Sequence, residues 1–373
     1  MDKKLKLLII NSTLRYGGSD LVAIRLQQSL DKDKFDFTYC VNSNDCPLEE
    51  YVTSLGARVI HQQSENFNYY NSFKFFLDLF EREHFDIVHS HSMFYSAIVF
   101  LAAYKRGVKV RISHSHFSKP VNNNRSVFYK ILECLYRIIM RKAVTKYSTN
   151  IIGCSYESGK YLAGKSGFSK KGIILNNGID TSKYMIDTEI RNKVRKEFKL
   201  ENKTVIGHIG AIYYLKNQDF LIDIFNAYQH KNSESVLMLV GDGEDKEKLE
   251  KKCKSLGISD KVIFTGVRND VNELLMAMDC MVFPSLHEGF PLTLVEAQAS
   301  KLACIVSDTV SKTVKLNDNL CFKSLDDSIE DWCKAIEEQT AIDRNRVDNT
   351  ALIDEFDLSN VAKKLETIYY SKL

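Results

Sequence analysis

The stretch SLHEGFPLTLVEA, residues 285–297, carries two carboxylates, Glu288 and Glu296. Three chemistries fit such a pair. Two carboxyl groups about 5 to 10 Å apart can act as acid and nucleophile in glycoside hydrolysis. Thr293-x-x-Glu296 is also the spacing of a capping box, in which the glutamate bonds the backbone of its own helix cap. In the third reading the two side chains hold one ligand from two sides. Gly289 supplies a turn and a helix is expected from about Thr293, which places Glu288 in a loop and Glu296 in the first helical turn.

Other residues with chemical potential fall in comparable places. His89-Ser90-His91 and His114-Ser115-His116 end two apolar runs, and alternate residues of a strand share a face, so each pair can line a site. A zinc reading lacks carboxylate or cysteine partners at the usual spacings. Gly210 ends another run, and Lys216-Asn217 opens the helix after it, where an ammonium can reach a phosphate or lie in solvent. Val267-Arg268-Asn269-Asp270 follows a further run and either reads a nucleobase edge with its backbone or forms a polar turn. Arg15-Tyr16-Gly17-Gly18 precedes a helical segment. Paired glycines there let amides approach an anion, although the spacing is not the G-x-G-x-x-G of dinucleotide folds.

The elements that must position these groups read as a β-α alternation. Apolar runs at 5–11, 35–41, 57–61, 86–91, 108–113 and 150–155 alternate with amphipathic segments, pause in the polar stretch 176–189, and resume at 204–210, 235–241, 261–266, 280–285 and 303–307. Such alternation implies parallel sheets covered on both faces, here two doubly wound Rossmann-like domains, 1–180 and 181–357, with a helical tail over 358–373. Open sheets of this kind bind ligands at the carboxyl ends of their strands, so two of them are expected to face one another across a cleft.

The bulk composition agrees with an α/β protein of two cores. The chain has 373 residues, 44% hydrophobic and 27% charged, and a net charge of +3, too small for a protein whose main partner is a nucleic acid. Nine cysteines without a C-x-x-C suggest reduced thiols and a cytoplasmic setting. The apolar start at 5–10 is too short for a signal segment, and no run approaches a spanning helix of about 20 residues. The segment 125–146 is distinctive: Phe128, Ile131, Leu132, Leu135, Ile138 and Ile139 form a helical stripe among Arg125, Lys130, Arg137, Arg141, Lys142 and Lys146. Either the stripe faces a core, or this is a basic amphipathic helix lying on an anionic membrane surface.

With these residues assembled, the sequence resembles the retaining, two-domain GT-B glycosyltransferases of family 4, most of all those that build bacterial capsular and exopolysaccharides. GGSDLVAIRL, FDIVHSHSMFYSA, RISHSHFS, GCSYESGKYLAG, ILNNGID, KNQDFLIDIF, LMLVGDGEDKEKLE, VIFTGVRNDV and HEGFPLTLVEA carry the resemblance in order along nearly the whole chain. It implies a nucleotide diphosphate sugar donor, with UDP the expected nucleotide. Glu288 would stand beside the donor sugar and Glu296 on the ribose. Gly210, Lys216 and the amides around Gly289, Phe290 and Leu292 would meet the diphosphate, and the backbone of Val267 and Arg268 the base. Gly17, Gly18 and His114 would lie on the acceptor side, where a lipid-linked saccharide is expected, with His116 near the reacting carbon. The enzyme would work without a metal ion or cofactor, at the inner face of the plasma membrane. One departure is Ala211, where the family usually has arginine. Its absence forfeits about 1.5 to 3 kcal/mol of phosphate binding unless Arg15 or Arg268 supplies the charge. It also motivates an alternative, a non-catalytic nucleotide-sugar-binding subunit of a glycosyltransferase complex.

Overall fold

The computed structural model describes residues 3–15, 18–62, 68–116 and 126–373. The chain divides into two units, Met1–Gly178 with Leu358–Leu373, and Ile179–Asp357. Among the described residues each unit is built on one parallel sheet.

In the first unit the strands are β1 (Leu5–Ile10), β2 (Phe35–Val41), β3 (Arg58–His61), β4 (Ile87–Ser90), β5 (Val110–Ser115), β6 (Asn150–Gly153) and β7 (Gly172–Ile174). Their order is β3-β2-β1-β4-β5-β6-β7, so the chain reverses direction across the sheet between β1 and β4. The strand sequences are apolar at successive positions because both faces are covered. Leu7 and Ile9 enter a core with Phe35, Tyr39 and Leu365, whereas Leu8 and Ile10 enter another with Phe76, Phe80 and Phe100. The C-terminal helix Leu358–Tyr370 closes the first of these cores with Val361, Ala362, Leu365, Ile368 and Tyr369, an apolar stripe at helical spacing.

The second unit repeats the plan with β8 (Thr204–Ile209), β9 (Ser235–Val240), β10 (Val262–Gly266), β11 (Cys280–Phe283), β12 (Ala303–Ser307) and β13 (Leu320–Lys323). The order is β10-β9-β8-β11-β12-β13, and the reversal lies between β8 and β11. The short edge strands β7 and β13 are additions to the runs read from the sequence.

The helix Val127–Tyr147 bears on one of the two readings of the basic segment, that its stripe faces a core. Met140 and Val144 face a core, but Ile131, Leu132, Leu135, Ile138 and Ile139 are exposed. The stripe is therefore a surface. Its basic residues divide in the same way: Lys130, Lys142 and Lys146 are exposed, whereas the Arg141 guanidinium donates to the Tyr161 carbonyl at 2.9 Å and Arg137 lies 3.7 Å from Glu133. Arg125 and the side chain of Phe128 lie outside the described residues.

Candidate active site

The second unit assembles its site at the point where strand order reverses. Gly210 follows β8. The backbone then runs through a short turn, Tyr214–Lys216, into the helix Gln218–Lys231. Asn217 takes a left-handed conformation at that junction, φ 56°, and its side-chain Nδ2 donates to the Pro284 carbonyl at 3.1 Å. The Leu286 amide donates to the Leu215 carbonyl at 2.8 Å. These bonds tie the loop after β8 to the loop after β11. Their consequence is an ion pair between Lys216 Nζ and Glu288 Oε1 at 2.7 Å, with the two side chains only 14% and 11% exposed. Lys216 also lies 5.1 Å from the centre of the Phe283 ring. The loop after β9 supports the same backbone from the side. A Cβ at Gly241 would fall 2.1 Å from the Gly210 carbonyl oxygen, and one at Gly243 2.1 Å from that of Ile212, so both positions require glycine.

The helix after Glu288 begins at Leu292 and runs to Ala299. Its cap is Pro291, whose side chain makes no capping bond, and the first helical amides have no earlier turn to accept them. This corrects two expectations. Thr293 is inside the helix, so no capping box with Glu296 forms there, and Glu296 sits in the second turn rather than the first. Phe290 turns its ring away from the loop, stacking on Phe356 at 5.7 Å and 4°. Gly289 joins Glu288 to Phe290. An ammonium beside uncapped helical amides is a site for a diphosphate-like anion.

Neither arginine proposed to compensate for Ala211 is available. Arg268 is bound bidentately by Asp270 at 2.8 and 2.6 Å and lies over the Phe198 ring, and Arg15 is paired with Asp45. Val267, beside Arg268, is 78% exposed, which leaves this loop open to a planar ligand. Tyr213, unremarked in the sequence, lines a cavity of about 260 Å³ with Tyr214, Asn217, Gln218 and Asp245. Its phenol is raised above its ordinary pKa by burial and then by the charge of Glu288.

The first unit has its own polar concentration, again where strand order reverses. At the β1 end, Asp20 is buried near the start of the helix Gly18–Ser29 and accepts from Asn11 Nδ2 at 2.9 Å, Thr13 Oγ1 at 2.7 Å and the Arg15 amide at 2.9 Å. These bonds set the path of the loop leading to Gly18. Gly17 lies outside the described residues. A Cβ at Gly18 would meet nothing within 4 Å.

At the ends of β4 and β5 the four histidines form a two-by-two array. His89 Nε2 and His114 Nδ1 are 3.2 Å apart, with ring centres at 5.3 Å and planes within 10°. His91 Nδ1 and His116 Nε2 are 2.8 Å apart, with centres at 5.1 Å and planes within 6°. Each pair is therefore edge to edge and nearly coplanar. The pairs stack on one another, His89 over His91 at 4.5 Å and His114 over His116 at 4.3 Å. Ring nitrogens of His89, His91 and His114 lie within 4.8 Å of one another, close enough for a metal ion, but Nε2 of His89, Nδ1 of His91 and Nδ1 of His114 already bond neighbouring rings.

Burial keeps these rings neutral. It lowers the His89 pKa to about 3, with the nearby His116 adding to the effect, and puts His91 and His114 well below the ordinary value. His116 keeps a partly exposed edge, yet the packed rings desolvate it to about 4 against an opposing contact from Asn177.

Two doubly wound domains, each with its polar loops where the strand order reverses and one with the Lys216–Glu288 ion pair at such a loop, define the GT-B architecture of sugar transferases. Comparison with known proteins agrees. Residues 16–183 match the model of glycosyltransferase family 4 and residues 189–349 that of glycosyl transferases group 1. The chain belongs to this family of glycosyltransferases. It is 28% identical over 91% of its length to the putative glycosyltransferase EpsF of Bacillus subtilis, covering 88% of that protein. Its identity to the capsular polysaccharide biosynthesis glycosyltransferase CapH of Staphylococcus aureus is 26%, over 99% of both chains. A UDP-Gal:alpha-D-GlcNAc-diphosphoundecaprenol alpha-1,3-galactosyltransferase of Escherichia coli is 26% identical over 82% of this chain and 80% of its own. Among solved structures, Anabaena Alr3699/HepE in complex with UDP and glucose superposes with a TM-score of 0.74 at 16% identity, over 99% of this chain and 100% of that one.

Proposed function

We propose that this glycosyltransferase moves a hexosyl residue from a UDP-sugar to a lipid-linked saccharide during assembly of a bacterial surface polysaccharide, with retention of configuration and without a metal ion. The observation that carries the reading is the Lys216–Glu288 pair beside the uncapped helix Leu292–Ala299. The bond between the anomeric carbon and the diphosphate breaks, a bond to an acceptor hydroxyl forms on the same face, and the hydroxyl proton leaves with the diphosphate. The positive charge of Lys216 and the amides near Gly289, Phe290 and Leu292 stabilise the departing diphosphate, taking the place of a metal ion. Glu288 orients the sugar, Glu296 the ribose, and the backbone at Val267 and Arg268 the base, with Gly210 next to the Lys216 ammonium, which lies in ordinary contact distance, 3.7 Å, of a Cβ built there. In the first domain, His116 serves the reacting carbon, and Gly17, Gly18 and His114 the acceptor.

The lipid-linked acceptor is supported by the exposed apolar face of the helix Val127–Tyr147, and by the printed activity of the Escherichia coli relative. No helix among the described residues is long and apolar enough to cross a membrane, so the membrane contact proposed is peripheral, at the cytoplasmic face. The surface-polysaccharide setting rests on the capsular relative.

The test is nucleotide release by the purified chain with UDP-, GDP- and ADP-sugars and polyprenyl-diphosphate-linked saccharides. Release from a UDP-sugar that falls about 100-fold or more in Glu288→Ala is the expected result. The absence of Arg at Ala211 favours a second reading, a nucleotide-sugar-binding subunit without catalysis. Binding of UDP-sugar without turnover across the panel would select it.

A further inference from the structure

The C-terminal helix contributes a hydroxyl to the histidine array. Tyr369 is 1% exposed, and its oxygen lies 2.7 Å from His89 Nδ1. The contact joins residues far apart in sequence within the first domain, and it starts a chain of three groups: Tyr369 to His89 Nδ1, and His89 Nε2 to His114 Nδ1. His114 Nε2, at the far end, is buried and has no hydrogen-bond partner among the described residues.

The direction of this chain follows from counting protons. A neutral imidazole holds one N–H, so the tautomer of each ring is set by its neighbour. If Tyr369 donates to His89 Nδ1, His89 carries its proton on Nε2 and donates to His114 Nδ1, and His114 is left with Nε2–H. One buried group is then unsatisfied. If the chain runs in reverse, the Tyr369 hydroxyl proton and the His114 Nε2 lone pair are both left without partners. An unsatisfied buried polar group costs about 1 to 3 kcal/mol, so the first direction is favoured.

We propose that Tyr369 is a positioning residue which, through His89, fixes His114 as the Nε2–H tautomer, making His114 a hydrogen-bond donor toward a substrate oxygen and not a base. The assignment rests on the transferase reading for its meaning, and on the protein alone for its geometry. It separates the roles of two histidines that sequence spacing leaves equivalent. His114 donates to an oxygen lone pair of the acceptor, a saccharide hydroxyl or a phosphate oxygen of its lipid carrier, and His116 belongs to the other hydrogen-bonded pair, with His91.

The experiment is a long-range ¹H–¹⁵N correlation spectrum of the full chain with ¹⁵N-labelled histidine at pH 7.5, assigned with single His→Gln variants. Wild type is expected to show His89 and His114 as Nε2–H. Tyr369→Phe removes the donor and should shift His89, and with it His114, toward the Nδ1–H form. His89→Gln, with Tyr369 intact, should also release His114 from its single tautomer. In the turnover assay, Tyr369→Phe should lower kcat with the donor KM unchanged, because the donor groups lie in the other domain. A wild-type His114 in the Nδ1–H form, or tautomers unchanged in both variants, would overturn the proposal. Because the spectra need no substrate, they stand whether or not the nucleotide-release assay finds a donor.

Discussion

At the scale of single residues, the opening question was what Glu288 and Glu296 do, and the structure removes two of three answers. No capping box forms at Thr293, because the helix starts earlier, at Leu292, under the restraint of Pro291. A hydrolytic carboxylate pair is disfavoured because Glu288 is engaged by Lys216 at 2.7 Å, which makes it the partner of a cation rather than a carboxyl free to give up a proton. The loop and helix setting of the pair was legible, but the ion-pair partner of Glu288 was not, since Lys216 and Glu288 meet only through folding of separate strand-end loops. Ala211 remains the weak point of this half-site. It is exposed and adjacent to Gly210, with Arg15 and Arg268 committed to other carboxylates. Ala211→Arg should therefore tighten UDP binding, by about tenfold or more if one charge-assisted phosphate contact of at least 1.5 kcal/mol is restored. Titration calorimetry with UDP reads this directly, and an unchanged Kd would mean that an arginine at this position does not reach the phosphate.

At the scale of elements, the central strands and the edges β3 and β10 were read from their apolar runs, and the strands missed are the other two edges, β7 and β13. The runs at 35–41 and 303–307 coincide with β2 and β12, because strands buried on both faces are continuously apolar. β7 and β13 have three and four residues, and Gly172 and Lys323 dilute their pattern below what periodicity can detect. The helix Val127–Tyr147 shows the complementary difficulty: its stripe was visible, but sequence cannot say whether a stripe meets a core or a surface. Here Ile131, Leu135, Ile138 and Ile139 continue at helical spacing into Lys142 and Lys146, so apolar and cationic groups share an exposed band. The purified chain is accordingly expected to bind anionic vesicles in a salt-sensitive manner. Each lysine near such a surface contributes about 1 kcal/mol, so Lys142→Ala with Lys146→Ala should weaken partitioning about 30-fold. Arg141 is the wrong residue for this test, since it holds Tyr161. Equal sedimentation of wild type and the double variant with vesicles would remove the membrane role of this helix.

At the scale of the whole molecule, the two domains share a plan and differ in how they store polarity. Two β-α rhythms were enough to read that plan, and the two histidine pairs stood out at their strand ends, whereas the bonding of one pair to the other was hidden. The members of this array sit on two strands, at the ends of β4 and β5, and only the side-by-side pairing of these strands brings His89 and His114 into contact. The array has a consequence for stability. In the unfolded chain a histidine has a pKa near 6.5. In the native first domain, burial holds His89 at about 3 and His116 at about 4, with His91 and His114 also well below normal, while the second domain has one comparable ring, His208, at about 4. These folded values are depressed, so below pH 6.5 the unfolded chain takes up protons that the native state refuses, and stability falls as pH drops from about 6.5 toward 4. Four such rings against one make that slope steeper in the first domain. Hydrogen exchange followed from pH 7.5 to 5 should therefore show protection lost first in the β1, β4 and β5 amides and later in those of β8 and β11. His89→Gln should flatten the first domain's slope by up to one proton. Parallel loss in the two domains would mean that the array titrates in the native state, and that its rings are less shielded than their packing indicates.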